Sequence, residues 1–107
     1  MDKVDLCVLI PCYNEEEVLP ETAKRMSELF SKMRSDGLIS EKSRVCFVDD
    51  GSKDATWDLI EGYVNQKTIF SGIKLAANAG HQNALFGGLM TVKGEYDCVI
   101  SVDADLQ

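Results

Sequence analysis

"DLCVLIP", residues 5–11, decides how the rest of this sequence is read. One acid leads into five apolar residues and a proline, with no polar residue alternating among them. An unbroken apolar run this short is the pattern of a strand covered on both faces, as in parallel sheets. Parallel neighbours need a crossover, usually a helix, so the next apolar pattern should change period. It does: Leu19, Ala23, Met26, Phe30 and Met33 recur at steps of four and three, one face of a helix over about 18–35. Pro20 suits its first turn, Glu15, Glu16, Glu17 and Glu21 gather at its positive end, and Asp36-Gly37 ends it.

The alternation repeats. "RVCFVDD" (44–50) reads as a second buried strand, and Ser52 or Asp54 is placed to cap a helix carrying Leu59, Ile60, Tyr63 and Val64 on one face. "TIFSGIKLAAN" (68–78) holds a weaker third strand, broken by Gly80. A third helix follows, with Ala84, Leu85, Gly88, Leu89 and Val92 on its buried stripe, and Gly94 stops it. "YDCVISVD" (96–103) is the fourth strand. The pattern β-α-β-α-β-α-β, with no repeat or linker, predicts an α/β fold. Its core is a Rossmann-like parallel sheet of order 3-2-1-4, with right-handed crossovers and helices on both faces. In that order strands 1 and 4 meet at the topological switch point, where ligands bind beyond the strand carboxyl ends. Those ends carry "PCYNEE" (11–16), "DDGSKD" (49–54), "NAGHQN" (78–83) and "DADLQ" (103–107), so the unusual polar clusters share one sheet edge.

Composition sets bounds. The 107 residues fit one domain, and 45% hydrophobic with 27% charged residues is ordinary for a globular chain. The net charge of −7 argues against nucleic acid as a partner and suits a site that collects cations, although an acidic surface alone accounts for it. The first apolar run is too short for a signal-peptide core, and no run approaches the ~18 residues of a membrane span, so a cytoplasmic, soluble chain is expected. None of the four cysteines forms a C-x-x-C pair. Cys7, Cys46 and Cys98 lie in strand-like runs and read as core thiols rather than zinc ligands, while Cys12, at a strand end, is expected to be partly exposed.

Each cluster has a chemistry and a plainer alternative. Asp49 and Asp50 could accept hydrogen bonds from ribose hydroxyls or a base N–H, or simply form a turn. Ser52 and Asp54 read better as turn and cap residues. Neither G-x-G-x-x-G nor a Walker lysine motif is present. A helix start explains Glu16 and Glu17 but not Tyr13, which could stack on a base that Asn14 or Glu15 bonds. Without a phosphate-cradling glycine loop, a diphosphate must be neutralised otherwise. The hard oxygens of Asp103-x-Asp105 suit Mg²⁺ or Mn²⁺ bridging a diphosphate leaving group, with the Gln107 carbonyl at the same spacing. D-x-D alone is a weak pattern; after a buried parallel strand, with D-D-G-S after another, it is much stronger. His81 reads as solvent-facing or supporting rather than as a base. Lys74 and Asn78 could touch a phosphate or sugar.

With these residues in place, the sequence resembles the nucleotide-sugar half of an inverting glycosyltransferase of family 2 with a GT-A fold. "VLIPCYNEEEVLP", "VDDGSKDATWDLI", "NAGHQNALFGGL" and "VDADLQ" match in order and spacing over nearly the whole chain. "DADLQ" and the third motif are most similar to the dolichol- and undecaprenyl-phosphate sugar synthase branch. The resemblance implies transfer from a UDP- or GDP-sugar to a polyprenyl phosphate, or, as an alternative, to a saccharide in cell-surface polysaccharide synthesis. It implies that Pro11, Tyr13 and Glu15 line the nucleotide, that Val48 and Asp50 contact the base, and that Asp103 and Ala104 lie at the diphosphate. Asp103, Asp105 and Gln107 match the metal-binding set for Mg or Mn, with Asp105 foremost. No catalytic residue beyond that set is expected in this segment. Family members run on well past the D-x-D, through the acceptor site and, in some branches, membrane helices. Residues 1–107 are therefore expected to be the donor part of a truncated transferase, binding nucleotide without turnover and meeting a membrane only through the missing part. Two other classes fit worse. A receiver-like signalling module needs an acidic pair after strand 1, where Pro11-Cys12-Tyr13 stands. A D-x-D phosphatase carries that motif after its first strand, followed by x-T.

Overall fold

The computed structural model describes residues 3–66, 69–76 and 78–105, and of His81 the backbone only. Seven elements follow in order: β1 (Leu6–Cys12), α1 (Leu19–Ser35), β2 (Arg44–Asp49), α2 (Thr56–Asn65), β3 (Phe70–Lys74), α3 (His81–Val92) and β4 (Cys98–Ser101). The strands form one sheet in the order β3-β2-β1-β4, every pair parallel. The predicted order is the observed one, with α1 and α2 on one face of the sheet and α3 on the other.

Alternation along β1 divides the core in two. Leu6, Val8, Ile10 and Cys12 face α1 and α2, packing with Leu19, Ala23, Met26, Phe30 and Ile60. Phe47, Tyr63 and Phe70 add an aromatic group there, with ring centroids 5.5–6.1 Å apart. Cys7 and Leu9 face the other way with Cys46 and Val48, against Ala84 and Val92 of α3. Gly88 brings α3 close: a Cβ there would stand 2.9 Å from Val48 Cγ2. α1 ends as its sequence implies, with the Asp36 N–H on the Lys32 carbonyl and Gly37 at φ +73°.

The backbone of β1 alternates as well. Cys12 accepts the Asp50 N–H on the β2 side, and Leu9 accepts the Val102 N–H on the β4 side. Odd residues therefore turn their backbone groups toward β4, and the next odd residue is Pro11, which has no N–H to give. The β1–β4 pairing ends at Leu9↔Ser101, whereas β1–β2 continues to Cys12↔Asp49. A proline cannot donate to a ladder, and it stands here where the β1–β4 pairing stops. Beyond Leu9, β1 and β4 are no longer paired, and space opens between their ends at the switch point.

Three expectations are corrected. Cys98 is exposed and Cys12 is buried, the reverse of the sequence reading. β4 is a sheet edge, and its apolar run is not covered on both faces; Cys12 turns its thiol into the α1–α2 core, where Sγ donates to the Ile10 carbonyl. Leu89 is 40% exposed, beside exposed Phe86 and Met90, because only Ala84, Gly88 and Val92 of α3 pack fully on the sheet. Finally, the residue next to α2 is Ala55, not Ser52 or Asp54, and it makes no side-chain cap bond of its own. Asp54 accepts the N–H of Thr56, the first helical residue, and Ser52 bonds across to Asn14.

Candidate functional site

Two depressions open beyond the strand carboxyl ends, together forming one crevice, and share Pro11 and Glu15. The first, about 180 Å³, lies between Tyr13, Asp50, Asn78, Gly80 and Ala84. The second, about 190 Å³, is walled by Asp103, Ala104 and Asp105. The polar ends of β1, β2, β3 and β4 thus do meet. Of the residues singled out from the sequence, Pro11, Tyr13, Glu15, Asp50, Asp103, Ala104 and Asp105 all line this crevice. Val48 does not: its side chain is fully buried in the core beneath Gly88. Gln107 and the side chain of His81 lie outside the described residues. Lys74 lines neither depression; its ammonium sits 5.6 Å over the Trp57 ring.

Asp50 joins three strand ends. Its N–H donates to the Cys12 carbonyl at 2.8 Å. The residue is 3% exposed, and its carboxylate accepts the Ala79 N–H at 2.6 Å on Oδ1 and the Gly80 N–H at 3.0 Å on Oδ2. Such charge-assisted bonds are among the stronger ones in a protein. They fold the loop after β3 back over the end of β2, a turn that Gly80 allows with φ +89°. Asn78 Oδ1 also accepts the Gly80 N–H, at 3.1 Å. The wall that Asn78 and Gly80 give the first depression is therefore set by Asp50.

The Asp103–Asp105 turn is tied to α1. The Thr22 hydroxyl, buried on the inner face of α1, donates to the Ala104 carbonyl. Thr22 was not singled out in the sequence, yet it falls on the stripe of Leu19, Ala23 and Met26, and a threonine on a buried stripe needs a partner. Thr56 is the second such residue, four before Ile60 and fully buried, and its Oγ1 accepts the Glu15 N–H at 2.8 Å.

The electrostatics are negative. Glu15 has its carboxyl raised above the ordinary value, first by burial and then by the charges of Asp105 and Asp54. At Asp54 burial pulls upward, but bonds from the Thr56 hydroxyl and the N–H groups of Thr56 and Glu16 outweigh it and hold the carboxyl below its usual range. Burial pushes the Cys12 thiol far up, with Glu15, Asp49 and Cys46 adding to it, and the Cys7 thiol to about 12. Asp49 is fully buried; Oδ1 accepts the Ser52 N–H at 3.3 Å and Oδ2 has no partner among the described residues.

Among the described residues, no three His, Cys, Asp or Glu side chains gather into a set that holds a metal ion alone. The second depression instead has three acidic residues in its lining, Glu15 from the β1 side and Asp103 and Asp105 after β4. That donor set fits a hard cation which completes its shell with water and phosphate oxygens, as Mg²⁺ commonly does. Among the described residues, no helix is long and apolar enough to cross a membrane.

Residues 7–107 match the family model described as glycosyl transferase family 2. The chain belongs to glycosyltransferase family 2. Within that family it is 51% identical over 104 residues to the uncharacterized glycosyltransferase YkoT of Bacillus subtilis (strain 168), covering 95% of this chain and 30% of that protein. It is 37% identical over 101 residues to the undecaprenyl-phosphate 4-deoxy-4-formamido-L-arabinose transferase of Pseudomonas fluorescens (strain Pf0-1), covering 94% of this chain and 27% of that one. Among solved structures, the mannosyltransferase PcManGT of Pyrobaculum calidifontis, in complex with GDP-Man and Mn²⁺, matches with a TM-score of 0.75 at 20% identity, over 96% of this chain and 28% of that one. The 3-2-1-4 sheet with its helices is the arrangement of GT-A fold transferases. The family 2 chain described here spans about three-tenths of the length of the curated relatives it matches.

Proposed function

We propose that this chain is the donor side of a metal-dependent, inverting glycosyltransferase that takes a sugar from UDP- or GDP-sugar and passes it to a polyprenyl phosphate. The observation that carries the reading is the pair of depressions joined at Pro11 and Glu15, one walled by Tyr13 and Asp50, the other by Asp103 and Asp105. The first receives the nucleoside: Tyr13, 42% exposed, offers a ring for stacking, and Asp50 retains acceptor lone pairs for a base N–H. The second receives the diphosphate, with Asp103 and Asp105 as the cation's protein ligands. A Mg²⁺ or Mn²⁺ ion there would neutralise the leaving diphosphate as a Lewis acid. Glu15, between the two, carries negative charge that such a pairing relieves. The acceptor oxygen attacks the anomeric carbon opposite the departing diphosphate, which inverts it. A phosphate acceptor is already ionised at neutral pH and asks for no strong base from this segment.

The acceptor side is assigned to the further length that the relatives have, and the work of the whole protein to the cytoplasmic face of a membrane. Undecaprenyl phosphate in the name of the Pseudomonas relative favours the polyprenyl reading over a saccharide acceptor. Calorimetry with UDP and with GDP, each with and without Mn²⁺, tests the reading. One nucleotide should bind weakly and only with the ion, binding should be lost in Asp105→Ala, and the 107 residues alone should transfer no sugar. Metal-independent binding untouched by that substitution would remove the metal role.

A further inference from the structure

The loops after β1 and β2 are bonded to each other along three consecutive residues. The N–H of Asn14 donates to Ser52 Oγ at 2.9 Å, that of Glu15 to Thr56 Oγ1 at 2.8 Å and that of Glu16 to Asp54 Oδ2 at 3.3 Å. Two bonds return, from the Lys53 N–H to Asn14 Oδ1 at 2.8 Å and from the Ala55 N–H to Glu16 Oε2 at 3.2 Å. Asp54 Oδ1 in turn accepts both the hydroxyl and the N–H of Thr56. Turn and cap side chains bond backbone a few residues away. These reach across separations of 38 to 41 residues.

Asn14 shows what the bonds hold. Its φ is +52°, the left-handed region, which asparagine enters more readily than other side chains but less freely than glycine. Here the surroundings hold it as well: Asn14 is bonded at both its N–H and its Oδ1. That kink separates Tyr13 from Glu15 and so sets where each wall of the crevice stands.

We propose that Ser52, Asp54 and Thr56 are positioning residues, which hold the 14–16 backbone so that Tyr13 and Glu15 are in place before the nucleotide arrives. The proposal rests on the donor-nucleotide reading of the crevice. Thr56 is its centre: buried completely, lining neither depression, its hydroxyl accepts from Glu15 and donates to Asp54. Preorganisation of this kind adds affinity by removing the ordering that binding would otherwise require.

The test compares Thr56→Val, which keeps the shape and removes the hydroxyl, with Thr56→Ser, which keeps the hydroxyl, and with Ser52→Ala. Binding of UDP and of GDP with Mn²⁺ is measured by calorimetry well below each variant's Tm, and exchange of the amides of residues 14–16 by NMR. Thr56→Val should weaken the nucleotide that the unsubstituted chain binds by roughly tenfold or more, because it orphans the Glu15 N–H. Exchange at 14–16 should quicken, Ser52→Ala should do both to a smaller degree, and Thr56→Ser should restore both. Unchanged affinity in Thr56→Val overturns the proposal, as does equal weakening in the Val and Ser variants that follows lost Tm alone. If the unsubstituted chain binds neither nucleotide, the donor reading fails. The clamp is then judged by exchange: quickened in Val and restored in Ser upholds it, unchanged exchange removes it. If Thr56→Val does not fold, Ser52→Ala decides on the same two readouts.

Discussion

At the scale of the residue, burial decides which groups react and which titrate. Cys7, Cys12 and Cys46 are buried, their thiols pushed up first by desolvation, whereas Cys98 is exposed. Since the thiolate is the nucleophile, a disulfide reagent at pH 8 should modify Cys98 alone in the folded chain and all four thiols in denaturant. The sequence placed Cys12 and Cys98 the other way round. An apolar run says that a strand tolerates cover on both faces, not that a neighbour supplies it. Glu15 gives a pH dependence. Its folded value lies above the ordinary 4.5, so folding favours the protonated form. The stability it contributes is fully present below about 4.5 and is lost as pH rises through the raised folded value. Glu15→Gln should therefore raise Tm at pH 7 and leave it nearly unchanged at pH 4, in scans without divalent ions. Equal shifts at both pH values would contradict the assigned cause.

Elements show how far periodicity carries. The stripe of α1 was legible because Leu19, Ala23, Met26 and Phe30 stand out against charged neighbours, and all four are buried. The stripe of α3 was legible only in part: Phe86, Leu89 and Met90 are as apolar as the residues that pack, so the sequence holds no contrast to read. Glycine discriminates instead. Gly88→Ala puts a Cβ 2.9 Å from Val48 and 3.4 Å from Leu9, while Gly62→Ala on α2 meets nothing within 4 Å. Urea denaturation should show Gly88→Ala less stable by about 1 kcal/mol, the strain of overpacking exceeding the gain in helix propensity. Gly62→Ala should be more stable by about 0.5–1 kcal/mol. Two gains would mean that α3 can move off the sheet.

Over the whole molecule the order β3-β2-β1-β4 was legible from the alternation of periods, because few topologies satisfy it, and it brings the four polar strand ends to one edge. The bonds between residues 14–16 and 52–56 were not legible. They join loops through side chains whose local pattern, D-G-S-K-D-A-T, also serves as an ordinary turn before a helix. Thr22 and Thr56 were the available signals, polar residues on otherwise apolar stripes. The core is also uneven. β1 and β2 are buried and paired on both sides, while β4 has one partner and exposed residues. Native-state hydrogen exchange should find the slowest amides in β1 and β2 and markedly faster ones in β4. Uniform protection through the sheet would contradict that picture.

Pro11 acts on the sheet as the stop of a zipper. The regular continuation after the Val102-to-Leu9 bond asks for a donor at position 11, and none exists there. Pro11→Val supplies it, and one more rung between β1 and β4 would draw the two strand ends together over the space where a diphosphate is proposed to sit. The expected outcome is a chain with higher Tm and poorer nucleotide binding, stability gained by sealing the cleft that function needs open. A missing hydrogen atom in the middle of a sheet would then be what keeps this fold available to a ligand.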